Sequence, residues 1–182
     1  MADTSRTQSD LLTNLFQDGQ ADGSITAQDM RDLIVSLIPS TGSGRFTSSA
    51  VVNITSTGVF TTPSSGTTAL SNNTSDIDMP QNGRIRYTGL TDRNFLLSVS
   101  ISATVAGNNQ DLRFQLTKNG TGITESITSR TWGTGTDVGS LTILSGVVLS
   151  QNDYIEIQAA NDTSTNDITI TNGSISMHGH LT

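Results

Sequence analysis

Two hydrophobic periods divide this chain. Before residue 40 the apolar positions recur at helical spacing, and beyond residue 50 they alternate with polar ones. Leu11, Leu12, Leu15 and Phe16 fall at i, i+1, i+4 and i+5, one face of a helix that Ser9 can cap. Met30, Leu33, Ile34, Leu37 and Ile38 follow at i, i+3, i+4, i+7 and i+8, and Pro39 stops them. Thr26 stands at an N-cap position with Asp29 three residues on, as in a capping box, and Ile25 and Met30 are spaced as a hydrophobic staple. The pattern predicts a helix–turn–helix within residues 1–38. Isolated helices below about 12–15 residues are marginal in water, so these two apolar stripes need a further surface. That surface is either the chain's own β domain or a partner.

The second period is strand-like. "NFLLSVSISATVAG" puts Phe95, Leu97, Val99, Ile101 and Ala103 on one face. "DLRFQLTKNGT" alternates Leu112, Phe114 and Leu116 before an Asn119-Gly120 turn signal. "AVVNITSTGVFTT", "GRIRYTG", "GITESITSR", "GSLTILSGVVLS", "DYIEIQAAN" and "ITITNGSISMHGHL" supply the remaining strands. About eight antiparallel strands with no helix between them predict a sandwich, and the jelly roll is the commonest form at this length. "PSTGSGRFTSSA" separates the two regimes and reads as a flexible Gly/Ser tether. The expected organisation is a helical anchoring segment at 1–38, a linker at 39–50 and a mainly β, antiparallel jelly-roll domain at 51–182.

Composition narrows the function classes. More than a quarter of the residues are Ser or Thr, 4% are aromatic and 14% charged, which suits short Thr-rich strands. A formal charge of −7, with the basic residues scattered, argues against nucleic acid. With no cysteine there is neither a disulfide framework nor a thiolate metal site. The opening "MADTSRTQSD" lacks the apolar core of a signal peptide, and no apolar run reaches the roughly 18 residues of a membrane span. A soluble protein made in a cytoplasm is expected.

The series "RIRYTGLTDRNFLLSVSISATVAGNNQDLRFQLTKNGT", followed by "DVGSLTILSGVVLSQNDYIEIQAANDTSTNDITITNGSISMHG", resembles jelly-roll domains of tailed-phage virion proteins. These belong to the broader tumour-necrosis-factor and complement-head-like group. Separately, "GSITAQDMRDLIVSL" resembles a segment near the start of phage head-fibre, decoration and tail-associated proteins. The resemblance implies a homotrimeric display domain behind an anchoring segment, with no catalytic role and no cofactor. It implies a place on the virion surface, on the capsid, after assembly in the host cytoplasm. The partners implied are sister copies and the major capsid protein or another virion protein. Leu11, Leu12, Leu15, Phe16, Met30, Leu33, Ile34 and Leu37 would carry the docking. The other reading is a tail-associated protein whose distal loops bind a host-surface glycan.

Several residues are candidates for chemistry. Asp18, Gln20, Asp22, Ser24 and Asp29 lie within a stretch that approaches a calcium-loop pattern. Gln replaces the usual third-position acid or Asn, and Asp at the twelfth place is short for bidentate reach. Turn chemistry and helix capping explain the same residues. His178 and His180 share one strand face and are the only histidines, too few for a zinc site within one chain. No G-x-S-x-G elbow occurs, and Glu125 and Glu156 are the acids expected on strands, both on a solvated face. Trp132 is either an exposed sugar platform or a loop anchor at a trimer seam.

Overall fold

The structure, a computed structural model, describes residues 6, 10, 11, 13, 25–46, 49–64, 68–73, 76–81, 83–135 and 137–181, with the backbone alone for 68–73 and 181. Helix α1 (Ala27–Leu37) precedes the strands. These are β1 (Thr41–Phe46), β2 (Ala50–Val52), β3 (Thr68–Asn73), β4 (Ile77–Gln81), β5 (Arg84–Tyr87) and β6 (Arg93–Val105). Then come β7 (Gln110–Lys118), β8 (Thr121–Trp132), β9 (Gly139–Leu149), β10 (Tyr154–Asn161) and β11 (Ile168–Leu181). The first sheet runs β3-β1-β11-β6-β9, with β2 also on β11, and the second runs β4-β5-β10-β7-β8. Every pairing is antiparallel, and the two sheets form a sandwich consistent with a jelly roll.

Strict alternation builds the core. Phe95, Leu97, Val99, Ile101, Ala103 and Val105 of β6 point inward and join one cluster with Leu112, Phe114 and Leu116 of β7. Ile155 and Ile157 of β10 and Ile168, Ile170 and Met177 of β11 complete it. Each of these side chains larger than Ala103 contributes roughly 1.5–3 kcal/mol on burial. Tyr87 packs edge-on to Phe95 at 5.0 Å and donates its hydroxyl to the Thr91 carbonyl at 2.6 Å. Burial pushes the Tyr87 phenol above its ordinary pKa.

Trp132 ends β8 inside the sandwich, where it is buried and donates its indole N–H to the Ala103 carbonyl of β6 at 2.9 Å. It is therefore neither a solvent-facing sugar platform nor an anchor at a seam between copies. Its ring lies where a Cβ on Gly139 would sit, so the first residue of β9 has to be glycine.

The expected linker also differs. Residues 41–46 form β1, paired with β11 on one side and β3 on the other. The inward positions of β1 are Gly42 and Gly44, both buried. A Cβ on Gly42 would lie 2.6 Å from Ile77 Cγ2, so the opposite sheet fills the space that Gly42 leaves. The residues before β1 are tied down as well. The Ser40 carbonyl accepts from the Gly179 amide at 2.8 Å, and the Ser40 hydroxyl donates to Asp76 at 2.7 Å. Buried Arg93 donates to the Ile38 carbonyl at 2.9 Å. Helix α1 is thus joined to the sandwich by a short, bonded connection.

Candidate functional site

Helix α1 begins as the sequence requires. The Thr26 side chain accepts from the Asp29 amide at 3.1 Å, and the Asp29 carboxylate accepts from the Thr26 amide at 2.8 Å. The amide and hydroxyl of Thr26 hold the Asp29 carboxyl below the usual carboxylate range. Asp29 is thereby occupied as half of a capping box. Asp18, Gln20, Asp22 and Ser24, the other members of the calcium candidate, lie outside the described residues. Among the described residues no three His, Asp or Glu side chains gather as a metal cluster.

The faces of α1 are inverted relative to a helix packed on a core. Its buried residues are the polar Asp32 and Ser36. Arg6 holds both: its Nε donates to Asp32 at 3.2 Å and its amide to the Ser36 hydroxyl at 2.7 Å, while Nη1 pairs with Asp10 at 2.9 Å. Gln28 donates to the other Asp32 oxygen at 2.7 Å. The apolar stripe faces outward instead, with Met30 45%, Ile34 56%, Leu37 60% and Ile38 53% exposed. Leu33 is half-buried and Leu11 buried. Leu12, Leu15 and Phe16, also expected to dock, lie outside the described residues.

A second exposed apolar region lies where α1 joins the sandwich. On the outer face of the first sheet, His178 of β11 pairs with Leu96 of β6, which pairs with Gly146 of β9. Asn94 lies between His180 and Val148, and Ser98 between Ser176 and Leu144. Leu96, Leu144, Val148, His178 and His180 are all exposed. Gly146 has open space above it, which leaves a notch of about 360 Å3 bordered by Leu96, Val148 and His180. Among the described residues, no Asp or Glu lies on any strand of this sheet.

The second sheet carries the ions. Arg84 pairs with Glu156 at 2.9 Å, Arg86 with Asp78 at 2.6 Å, and Arg113 with Asp162, just beyond β10, at 2.6 Å. Lys118 reaches Asp153 at 2.8 Å. Burial opposes ionisation of Asp153, but hydrogen bonds from Lys118, Asn119 and the Ser150 amide outweigh it and hold its carboxyl below the usual range. Glu156, expected on a solvated face, is instead buried beside Arg84, while Glu125 is exposed. The missed signal was cross-strand: Glu156 lies opposite Arg84 in the β10–β5 register.

No family model matches the chain, and no curated protein matches it. Its fold is similar to a crystal structure of murine APRIL, at 13% identity over 79% of this chain and 100% of that one, with a TM-score of 0.43. It is similar to the PRD1 vertex protein P5, at 12% identity over 79% and 97% of the two chains, with a TM-score of 0.45. The globular domain of zebrafish complement 1qA protein gives 15% identity, 76% and 96% coverage and a TM-score of 0.42. At these values the likenesses carry no functional argument. The sandwich rests on the strand pairings themselves.

Proposed function

We propose that this is a structural virion protein of a tailed phage: a homotrimeric capsid decoration or head-fibre protein, docked by its N-terminal segment and displaying the sandwich outward. The observation that carries the reading is the inverted helix. A stripe of Met30, Ile34, Leu37 and Ile38 left in water forfeits roughly 1.5–3 kcal/mol per side chain that a partner surface would recover. Its polar side is already taken by Arg6, Asp32 and Ser36, so the apolar side is the one free to bind. The resemblance of "GSITAQDMRDLIVSL" to virion anchoring segments points the same way.

A net charge of −7 opposes association of copies, and that repulsion is least where no carboxylates are brought together. The first sheet offers such a face, with Leu96, Leu144 and Val148 at its end nearest α1. Three anchors on one particle would add avidity without new contacts. In this role the protein is a binder and not an enzyme, assembled in the host cytoplasm and carried on the virion surface.

Binding to capsids that lack the protein tests the reading. Ile34→Glu with Leu37→Glu changes only exposed side chains, so the sandwich should stay folded while capsid binding falls by at least about tenfold. Undiminished capsid binding by this double variant would overturn the anchoring role. Truncation should stop before Ile38, because Arg93 and Gly179 use the carbonyls of Ile38 and Ser40.

A further inference from the structure

Arg45 is the exception among the cations of this acidic chain. Nine Lys and Arg residues are present. Arg6, Arg84, Arg86, Arg113 and Lys118 sit in ion pairs, and Arg31, Arg93 and Arg130 donate to Gln28, Ile38 and Ser140. Among the described residues, the exposed Arg45 side chain has no such partner, and no carboxylate lies on any strand of its sheet. An unneutralised guanidinium in a molecule of net charge −7 is a local reversal of sign.

Its surroundings are those of a small polar site. On the outer face of the first sheet, at the end away from α1, a depression of about 270 Å3 is lined by Arg45, Phe46, Ser100, Ser102, Asn172 and Ser174. Arg45 pairs with Ser174, which pairs with Ser100; Asn172 pairs with Ser102 in the next row. Both register shifts of this sheet border the depression, one at Ser43/Gly44 and one at Ile170/Asn172. Thr171 is the extra residue at the second, and its hydroxyl donates to the Ser102 carbonyl at 3.1 Å. Such bulges re-aim neighbouring side chains and are common beside binding sites. The Phe46 ring lies under Gly173 on the inner side of the sheet, where a Cβ on Gly173 would come within 2.7 Å of Cδ2, and packs against the core beneath the depression.

We propose that this depression binds a carboxylated sugar unit. The planar fork of Arg45 matches a carboxylate through two parallel hydrogen bonds. The Asn172 amide and the hydroxyls of Ser100 and Ser174 provide both donors and acceptors for ring hydroxyls. An acidic peptide fits less well, since β1 is flanked by β3 and β11 and has no free edge for main-chain pairing. The site goes beyond the docking role and stands if that role fails.

Calorimetric titration of the full chain at low salt with glucuronate, N-acetylneuraminate, glucose and an oligo-aspartate peptide tests the proposal. Both acidic sugars should bind, and glucose at least about tenfold more weakly. Arg45→Met should abolish the difference, Arg45→Lys should keep part of it because ammonium lacks the fork, and Asn172→Ala should weaken binding. Arg45 and Asn172 are exposed, so the unfolding midpoint of each variant should match the parent. The proposal fails if glucose binds as well as glucuronate, or if Arg45→Met binds the acidic sugars undiminished. It also fails if neither acidic sugar binds at millimolar concentration, or if oligo-aspartate alone binds through Arg45.

Discussion

The two sheets of this sandwich share one core and differ on their outer faces. The strands β4, β5, β10, β7 and β8 and their turns hold Arg84–Glu156, Arg86–Asp78, Arg113–Asp162 and Lys118–Asp153. The strands β3, β1, β11, β6 and β9 hold no acid among the described residues and show Ser, Thr, Leu and Val outward. Ion pairs between partly exposed side chains, such as Arg86–Asp78 and Arg113–Asp162, are worth roughly 0–1 kcal/mol each, so these add little to the stability of the second sheet. They place paired charges over that face. A face without carboxylates costs little to bring against a like-charged copy or an anionic ligand. The lesson is that charge distinguishes the two outer faces of one sandwich.

The largest expected effect comes from breaking the stitch between the sheets. Trp132→Ala removes the buried ring that β8 places against β6 and β9, and should cost about 3–5 kcal/mol by chemical denaturation. A loss below about 1 kcal/mol would mean that the two sheets do not depend on this contact. The next effect tests the contrast itself. Leu144→Glu puts a carboxylate on the acid-free face and should weaken self-association by about tenfold or more in sedimentation velocity. Ile127→Glu makes the same change on exposed β8 of the other sheet and should leave association as it was. Equal behaviour of the two variants would remove the distinction between the faces.

The smallest effect concerns pH and the second sheet. The Asp153 carboxyl is held below its ordinary range, so near its unfolded value of about 3.9 the unfolded chain binds more protons than the folded one. Its contribution is complete above that value and is lost as pH falls through the lower folded one. Asp153→Asn should therefore destabilise the protein by about 1 kcal/mol at neutral pH, with the gap closing under acid. A gap that stays constant into acid would show that the Asp153 charge does not matter.

The long strands β6, β7, β10 and β11 were readable because inward residues alternate with outward ones over many positions. β1 was not, because its inward positions are glycines, and at Gly42 it is Ile77 from the other sheet that supplies the missing volume. The capping box of α1 was local and legible, since Thr26 and Asp29 need only each other. Which side of α1 would face water was not. The apolar spacing defined a stripe, and the burial of Asp32 and Ser36 depended on Arg6, more than twenty residues away in sequence. Trp132 and Glu156 were misjudged for the same reason, as burial depends on partners that only the folded chain brings near.

By itself the sequence determined the period of each segment, and with it a mainly β sandwich behind a capped helix. It also determined that no acid would fall on the strands of one sheet, although nothing local says that those strands are neighbours. Tertiary structure alone decided that they are, which cations find carboxylates and that Arg45, among the described residues, does not. Period is a property of adjacent residues. Pairing is a property of residues far apart in the chain, and only the closing of the two sheets sets it.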